Sequence, residues 1–163
     1  MLIREVTDVI ERFAPLAWQE SYDNAGLIVG RPDDEVHRAL LAVDVTDEVM
    51  AEAEREGCDM VITHHPIVFH ALKRFNSADQ VQRCVERAIR GGIALYACHT
   101  NLDSAPGGMS WRLAEMLGVH VNSITNSVVA LRNADCAERQ RGALVITDFK
   151  KLKSIAENLI VEN

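Results

Sequence analysis

No apolar run in this chain approaches the roughly 20 residues that a membrane-spanning helix needs, so no membrane partner is expected. A secretory signal is lacking too. Met1-Leu2-Ile3-Arg4-Glu5-Val6 places a charge pair where such a signal has its apolar stretch, and no small-residue cleavage site follows, so the expected location is the cytoplasm. Cys58, Cys84, Cys98 and Cys136 show no C-x-x-C spacing. With no export signal they read as buried free thiols rather than bridges or a zinc knuckle. There is no excess of positive charge: the net charge of −7 repels nucleic-acid phosphates and anionic lipid, so no nucleic acid is expected as a partner. The phosphate-loop, G-x-G-x-x-G and G-x-S-x-G patterns do not occur, which removes the nucleotide-loop and serine-hydrolase readings.

What the chain does have is enough apolar residue for a core: 48% of 163 residues, against 25% charged, suits one domain and the beginning of another. Val6, Val9, Ile10 and Phe13 recur at helical spacing and Pro15 stops the helix. Leu27 to Val29 has the length of a short strand. Ala39 to Val45 is a continuous apolar strand, followed by Thr46-Asp47 as helix N-cap candidates, a charged helix through Glu56, and Gly57 as its stop. A strand ending at Thr63 comes next, then Ser77-x-x-Gln80 in the form of a capping box. It opens a helix with Val81, Cys84, Val85 and Ala88 on one face, stopped by Gly91-Gly92 before the strand Ile93 to Cys98.

Strand, helix, strand, helix, strand predicts an α/β fold, a parallel-type sheet covered by helices with right-handed crossovers. Further on, Gly107-Gly108 opens a helix with Trp111, Leu113, Ala114 and Leu117, closed by Gly118, and residues 132–141 read as a loop. Strand Ala143 to Ile146, with Thr147 as N-cap, leads to a helix carrying the stripe Leu152, Ile155, Ala156, Leu159 and Ile160, which needs a partner surface. The expectation is a metal-binding α/β domain over 1–131 and, over 142–163, the opening β-α of a second α/β domain, apparently truncated.

The metal reading comes from two strand ends. One apolar run ends in Thr63-His64-His65-Pro66 and another opens onto His99-Thr100-Asn101-Leu102-Asp103. Imidazoles and a carboxylate are donors that divalent first-row metals select, and ligands of such sheets bind beyond the carboxyl ends of the strands, where both motifs fall. Asp44, near the end of its own strand, could face the same crevice. Neighbouring side chains of a regular strand point to opposite faces, so adjacent histidines serve one ion only if the backbone turns after them, as Pro66 allows. The other solution is a pair of ions, each taking one imidazole. Asp103 lies four residues past His99, one helical turn away. A bland alternative has His64 and His65 capping a strand end and Asp103 capping a turn; two such motifs at one sheet edge favour the metal site. His37, His70 and His120 have no comparable setting, and Cys98 reads as structural.

Taken together, Tyr22-Asp23-Asn24-Ala25-Gly26-Leu27, Gly57 through Pro66, and His99 through Asp103 with Gly107-Gly108 resemble, in order and spacing, the GTP cyclohydrolase 1 type 2 homologue family, the NIF-three-like proteins. The resemblance implies an α/β protein with two divalent cations (zinc, iron, manganese or nickel) in a cleft, assembled as a homo-oligomer, commonly a hexamer, and acting on a small-molecule substrate. On matching positions it makes His64, His65 and Asp103 metal ligands, and His99 a catalytic or supporting residue that orients or moves a proton. The family also draws ligands from a late His-x-x-x-Glu element, which this sequence does not contain. The function expected is hydrolysis by metal-activated water, and the rival is a metal-binding interaction protein without turnover.

Overall fold

Glu5 opens the first element: its carboxylate accepts the Leu2 N–H at 2.7 Å and so occupies a donor that the start of helix α1 (Ile3–Phe13) leaves free. The computed structural model describes residues 1–122, 137–140, 143–148, 150, 151, 153 and 154, in two compact units, Met1–Met109 and Ser110–Asn163.

In the first unit, strands β1 (Gly26–Val29), β2 (Ala39–Ala42), β3 (Met60–Thr63) and β4 (Ala94–Ala97) form one sheet in the order β1-β4-β3-β2. Strands β2, β3 and β4 run parallel, with Ala39 opposite Met60 and Met60 opposite Ala94. The edge strand β1 runs antiparallel to β4, Gly26 facing Ala97, a mixed edge that the short run Leu27 to Val29 did not reveal. Helix α2 (Asp47–Glu56) connects β2 to β3, and α3 (Gln80–Gly91) connects β3 to β4. Thr46 caps α2 as expected, accepting the Val49 N–H at 3.2 Å, and Gly57 and Gly92 end the two helices in left-handed conformation. The expected capping box at Ser77 does not form. Asp79, directly before the helix, takes the Gln82 N–H at 2.9 Å, while the Ser77 hydroxyl bonds Glu86; the N-cap position belongs to Asp79, and Ser77 stands two residues before it.

Both faces of β4 are covered, so all four of its residues are buried, as a central parallel strand requires. Leu95 packs with Met50, Ala53, Val61, Cys84 and Ala88 beneath α2 and α3, whereas Ala94 and Tyr96 join Ile3 and Met60 on the α1 side. Burying a side chain of this size is worth about 1.5–3 kcal/mol. Helix α1 turns Ile3, Val6 and Ile10 inward, but Val9 and Phe13 stay exposed. Tyr96 donates its hydroxyl to Glu11 at 3.2 Å, and burial raises its pKa. Cys58, Cys84 and Cys98 are free and buried; burial pushes the thiols of Cys84 and Cys98 up to about 11. Cys136 lies outside the described residues.

Helix α4 (Thr100–Ser104) follows β4, and α5 (Met109–Leu117) ends at Gly118. Of the apolar residues expected in this helix, Ala114 is buried while Trp111, Leu113 and Leu117 are exposed. In the second unit, β5 (Ala137–Gln140) pairs antiparallel with β6 (Ala143–Ile146). The strand β5 replaces part of the loop expected over 132–141, since pairing with β6 satisfies backbone groups that its polar sequence conceals. Asp148 receives the N–H groups of Lys150 and Lys151, both at 3.0 Å. The boundary expected near 131 and, within the apolar stripe, Leu152, Ile155, Ala156, Leu159 and Ile160 lie outside the described residues. No helix among the described residues is long and apolar enough to cross a membrane.

Candidate metal centre

Because β2, β3 and β4 are parallel, their carboxyl ends share one edge of the sheet, and because β1 is antiparallel its start lies there too. Asp44 follows β2, His64 and His65 follow β3, His99 follows β4 and Asp23 precedes β1. Every strand thus delivers ionisable groups to the same edge.

The chain turns at the end of β3 as adjacent histidines demand. The Thr63 hydroxyl donates to the His65 carbonyl at 2.9 Å, and the His65 N–H continues the pairing to β2 through Val43 O at 3.0 Å. The rings of His64 and His65 stand 4.9 Å apart, and His99 lies 5.4 and 5.6 Å from them. One nitrogen from each of the three lies within 4.8 Å of the others, close enough to share one cation. Helix α4 brings Asp103 back over His99, its N–H reaching the His99 carbonyl at 3.2 Å, and sets Asp103 Oδ1 3.8 Å from His64 Nε2.

The remaining polar contacts decide which nitrogens are free. His65 Nδ1 meets Asp44 Oδ1 at 2.8 Å, and His99 Nδ1 meets Asp23 Oδ1 at 2.7 Å. An ionised carboxylate only accepts, so in the buried His99–Asp23 pair Nδ1 carries the hydrogen and Nε2 keeps its lone pair, the arrangement in which carboxylates orient metal-binding imidazoles, whereas the His65–Asp44 pair is open to water. Among the described residues His64 Nδ1, which is buried, has no hydrogen-bond partner, a state that a bound cation or its hydration would relieve. The residues present therefore fit a divalent cation by donor type and by orientation.

Burial raises the pKa of Asp23, whose side chain is 0% exposed, but hydrogen bonds from Thr100, His99 and the Asn24 N–H outweigh it and hold the carboxyl below its ordinary range. Thr100 contributes both its N–H, at 3.0 Å, and its hydroxyl. Asn101, fully buried, ties the same turn to the end of α1 by donating to Ala14 O at 2.8 Å. Phe69 stands edge-on to His99 with ring centres 6.1 Å apart, and Tyr22 packs on Phe69 at 6.4 Å. Asn24 donates to Val68 O at 2.6 Å, and these two residues also border an apolar groove of about 520 Å³ lined by Leu27, Leu72, Phe75 and Ile89.

Each residue expected in the site is at this edge: His64, His65 and His99 form the cluster and Asp103 adjoins it through His64. Asp44 faces the crevice, as its strand position suggested. Asp23 was present in the Tyr-Asp-Asn-Ala-Gly motif without a role, since no spacing rule links it to a histidine 76 positions away. His37 pairs instead with Glu35 and Asp59, and His120 accepts the Asn122 N–H.

A family model described as Duf34/NIF3 (NGG1p interacting factor 3) matches residues 1–160. The chain is 36% identical over 118 residues to the GTP cyclohydrolase 1 type 2 homolog of Clostridium perfringens, covering 72% of this chain and 45% of the relative. The homolog of that name from Streptomyces coelicolor is 37% identical over 119 residues, covering 73% and 42%. The chain thus spans less than half the length of these curated relatives. Among solved structures, Staphylococcus aureus hypothetical protein SA1388 superposes with a TM-score of 0.67 at 36% identity over 72% of this chain and 34% of that one. Reduced HcgD from Methanocaldococcus jannaschii gives a TM-score of 0.66 at 27% identity over 97% of this chain and 60% of that one.

Proposed function

The chain belongs to the Duf34/NIF3 family, and on that premise we propose that His64, His65 and His99, with Asp103, hold a divalent transition-metal cation for hydrolysis of a small-molecule substrate. The observation that carries the reading is the convergence of three imidazole nitrogens within 4.8 Å, two of the rings oriented by carboxylates. When bound, the cation supplies Lewis acidity, stabilising developing negative charge and lowering the pKa of water toward about 7.

The chain's own residues have separable tasks. Asp23 orients His99, while Asp44 meets His65 at the water-exposed rim. Asp103, partly exposed beside His64, is the acceptor placed to take a proton from an attacking water or to balance the charge of the cation. Phe69, edge-on to His99, and Tyr22 behind it flank one side of the cluster. Homologues carry the name GTP cyclohydrolase 1 type 2 homolog, so a guanine nucleotide or another phosphoester is the substrate to try first. Two cations, and a homo-oligomer of hexameric form, belong to the same proposal.

The test measures turnover of GTP and a generic phosphoester by this chain with added manganese or zinc, against its His65→Ala variant. Metal-dependent turnover that rises through neutral pH and falls at least tenfold in the variant is expected. Equal rates in both proteins, with equal metal content, would remove the hydrolase reading. Metal bound through the cluster with no turnover of either compound would favour a metal-binding protein without catalysis.

A further inference from the structure

Two histidines of the cluster carry a carboxylate on Nδ1, and the two carboxylates differ in kind. Asp44 and His65 are both open to water, their side chains 58% and 49% exposed. Asp23 is 0% exposed and His99 only 17%. Asp23 is also saturated with donors. Oδ1 takes His99 Nδ1 at 2.7 Å and the Asn24 N–H at 2.6 Å, while Oδ2 takes the Thr100 N–H at 3.0 Å and the Thr100 hydroxyl. Two of these donors are backbone groups, which cannot reverse polarity or rotate away. Thr100 is anchored in turn, its Oγ1 accepting the Glu20 N–H at 2.9 Å.

We propose that Asp23 is the positioning residue that locks His99 in the Nδ1–H tautomer, so that Nε2 meets an incoming cation as a ready acceptor, and that Asp44 gives His65 no comparable lock. The inference rests on the reading of the cluster as a metal site and adds to it a division of labour between the two carboxylates. The chemistry follows from hydrogen counting. With four donors converging on two oxygens, only a group that accepts at both ends satisfies the pocket. Asparagine in its place turns an NH2 toward either the Asn24 N–H or the Thr100 N–H, so one backbone donor always faces another donor. When the NH2 faces Asn24 it also faces His99 Nδ1, which then accepts, and the hydrogen moves to Nε2, the atom that must stay bare. Around Asp44, water replaces whatever the carboxylate supplies, and the His65 ring keeps access to both tautomers.

The experiment reads the tautomer directly and without metal. Imidazole 15N shifts in the metal-free 163-residue chain, at about pH 8 where an ordinary histidine is neutral, should place the His99 hydrogen on Nδ1 in the wild type and show a mixture for His65. In Asp23→Asn the His99 hydrogen should shift toward Nε2, and zinc affinity by calorimetry should fall about 10–100-fold. Asp44→Asn should change zinc affinity less than about threefold, and Thr100→Ser, which keeps the hydroxyl, should match the wild type. Wild-type His99 found with its hydrogen on Nε2 would overturn the proposal even if every variant failed to fold, as would an Asp44→Asn loss equal to that of Asp23→Asn. Zinc affinity unaltered by His99→Ala would defeat the metal reading of the cluster, while the tautomer in the metal-free protein would still decide the role of Asp23.

Discussion

The ends of β3 and β4 look alike in sequence, each an apolar run closing on histidine, yet they are built to different standards. After β4, Thr100, Asn101 and Asp103 are each tied down: Thr100 to Asp23 and Glu20, Asn101 to Ala14, Asp103 to the His99 carbonyl. After β3 the backbone is held by Thr63 and Val43, but the carboxylate that meets the His65 side chain is exposed. One end is fixed through a buried carboxylate and the other meets a carboxylate open to water. Preorganisation of one part of a site lowers the cost of binding without requiring every donor to be rigid.

The strongest way to break this asymmetry is to dismantle the β4 end. A Cβ on Gly108 would lie 1.9 Å from Leu102 O and 2.8 Å from Ala105 O, so Gly108→Ala must displace the backbone that carries Asp103. A loss of at least about 2–3 kcal/mol is expected in urea denaturation; an unchanged midpoint would mean the turn is not rigid. Next, Asn101→Ala leaves the Ala14 carbonyl without its side-chain donor, and a loss of about 1–3 kcal/mol is expected. The same measurement with no loss would show that water takes the donor's place.

A smaller, pH-dependent effect separates the two carboxylates. Asp23 is held below its ordinary pKa in the folded chain, burial opposing but the hydrogen bonds of Thr100 and His99 prevailing. Its stabilisation is therefore complete above the unfolded value of about 4 and is lost as pH falls through the lower folded value. Stability curves of wild type and Asp23→Asn should accordingly differ in slope below about pH 4 and run parallel above it. Identical slopes would count against the hydrogen-bonded carboxylate. The smallest change belongs to Asp44→Ala: an exposed pair of this kind carries little stability, and a shift within about 0.5 kcal/mol is expected. A shift above about 1 kcal/mol would erase the distinction between the two ends.

Much of this was legible in the residues. The alternation of strand and helix from Ala39 to Cys98 located the parallel strands and, with them, the edge at which His64, His65, His99 and Asp103 meet. Local chemistry was harder to read: the N-cap candidate Ser77 lost to Asp79, which sits directly before the first helical turn. Asp23 escaped for a different reason. Its partner is brought to it by the antiparallel placement of β1, a tertiary event that no local pattern announces. Exposure was hidden in the same way, since periodicity marks Val9 and Phe13 as apolar but not as uncovered.

The central claim is that the three imidazoles act together on one divalent cation. Calorimetric titration of the 163-residue chain with zinc tests it most directly, set against single His64→Ala, His65→Ala and His99→Ala variants. The account predicts that each variant binds zinc at least tenfold more weakly than the wild type, with His99→Ala losing the most because His99 is the donor fixed in advance. Wild-type affinity in His99→Ala, together with loss in the other two, would contradict it and leave a site built from the β3 end alone.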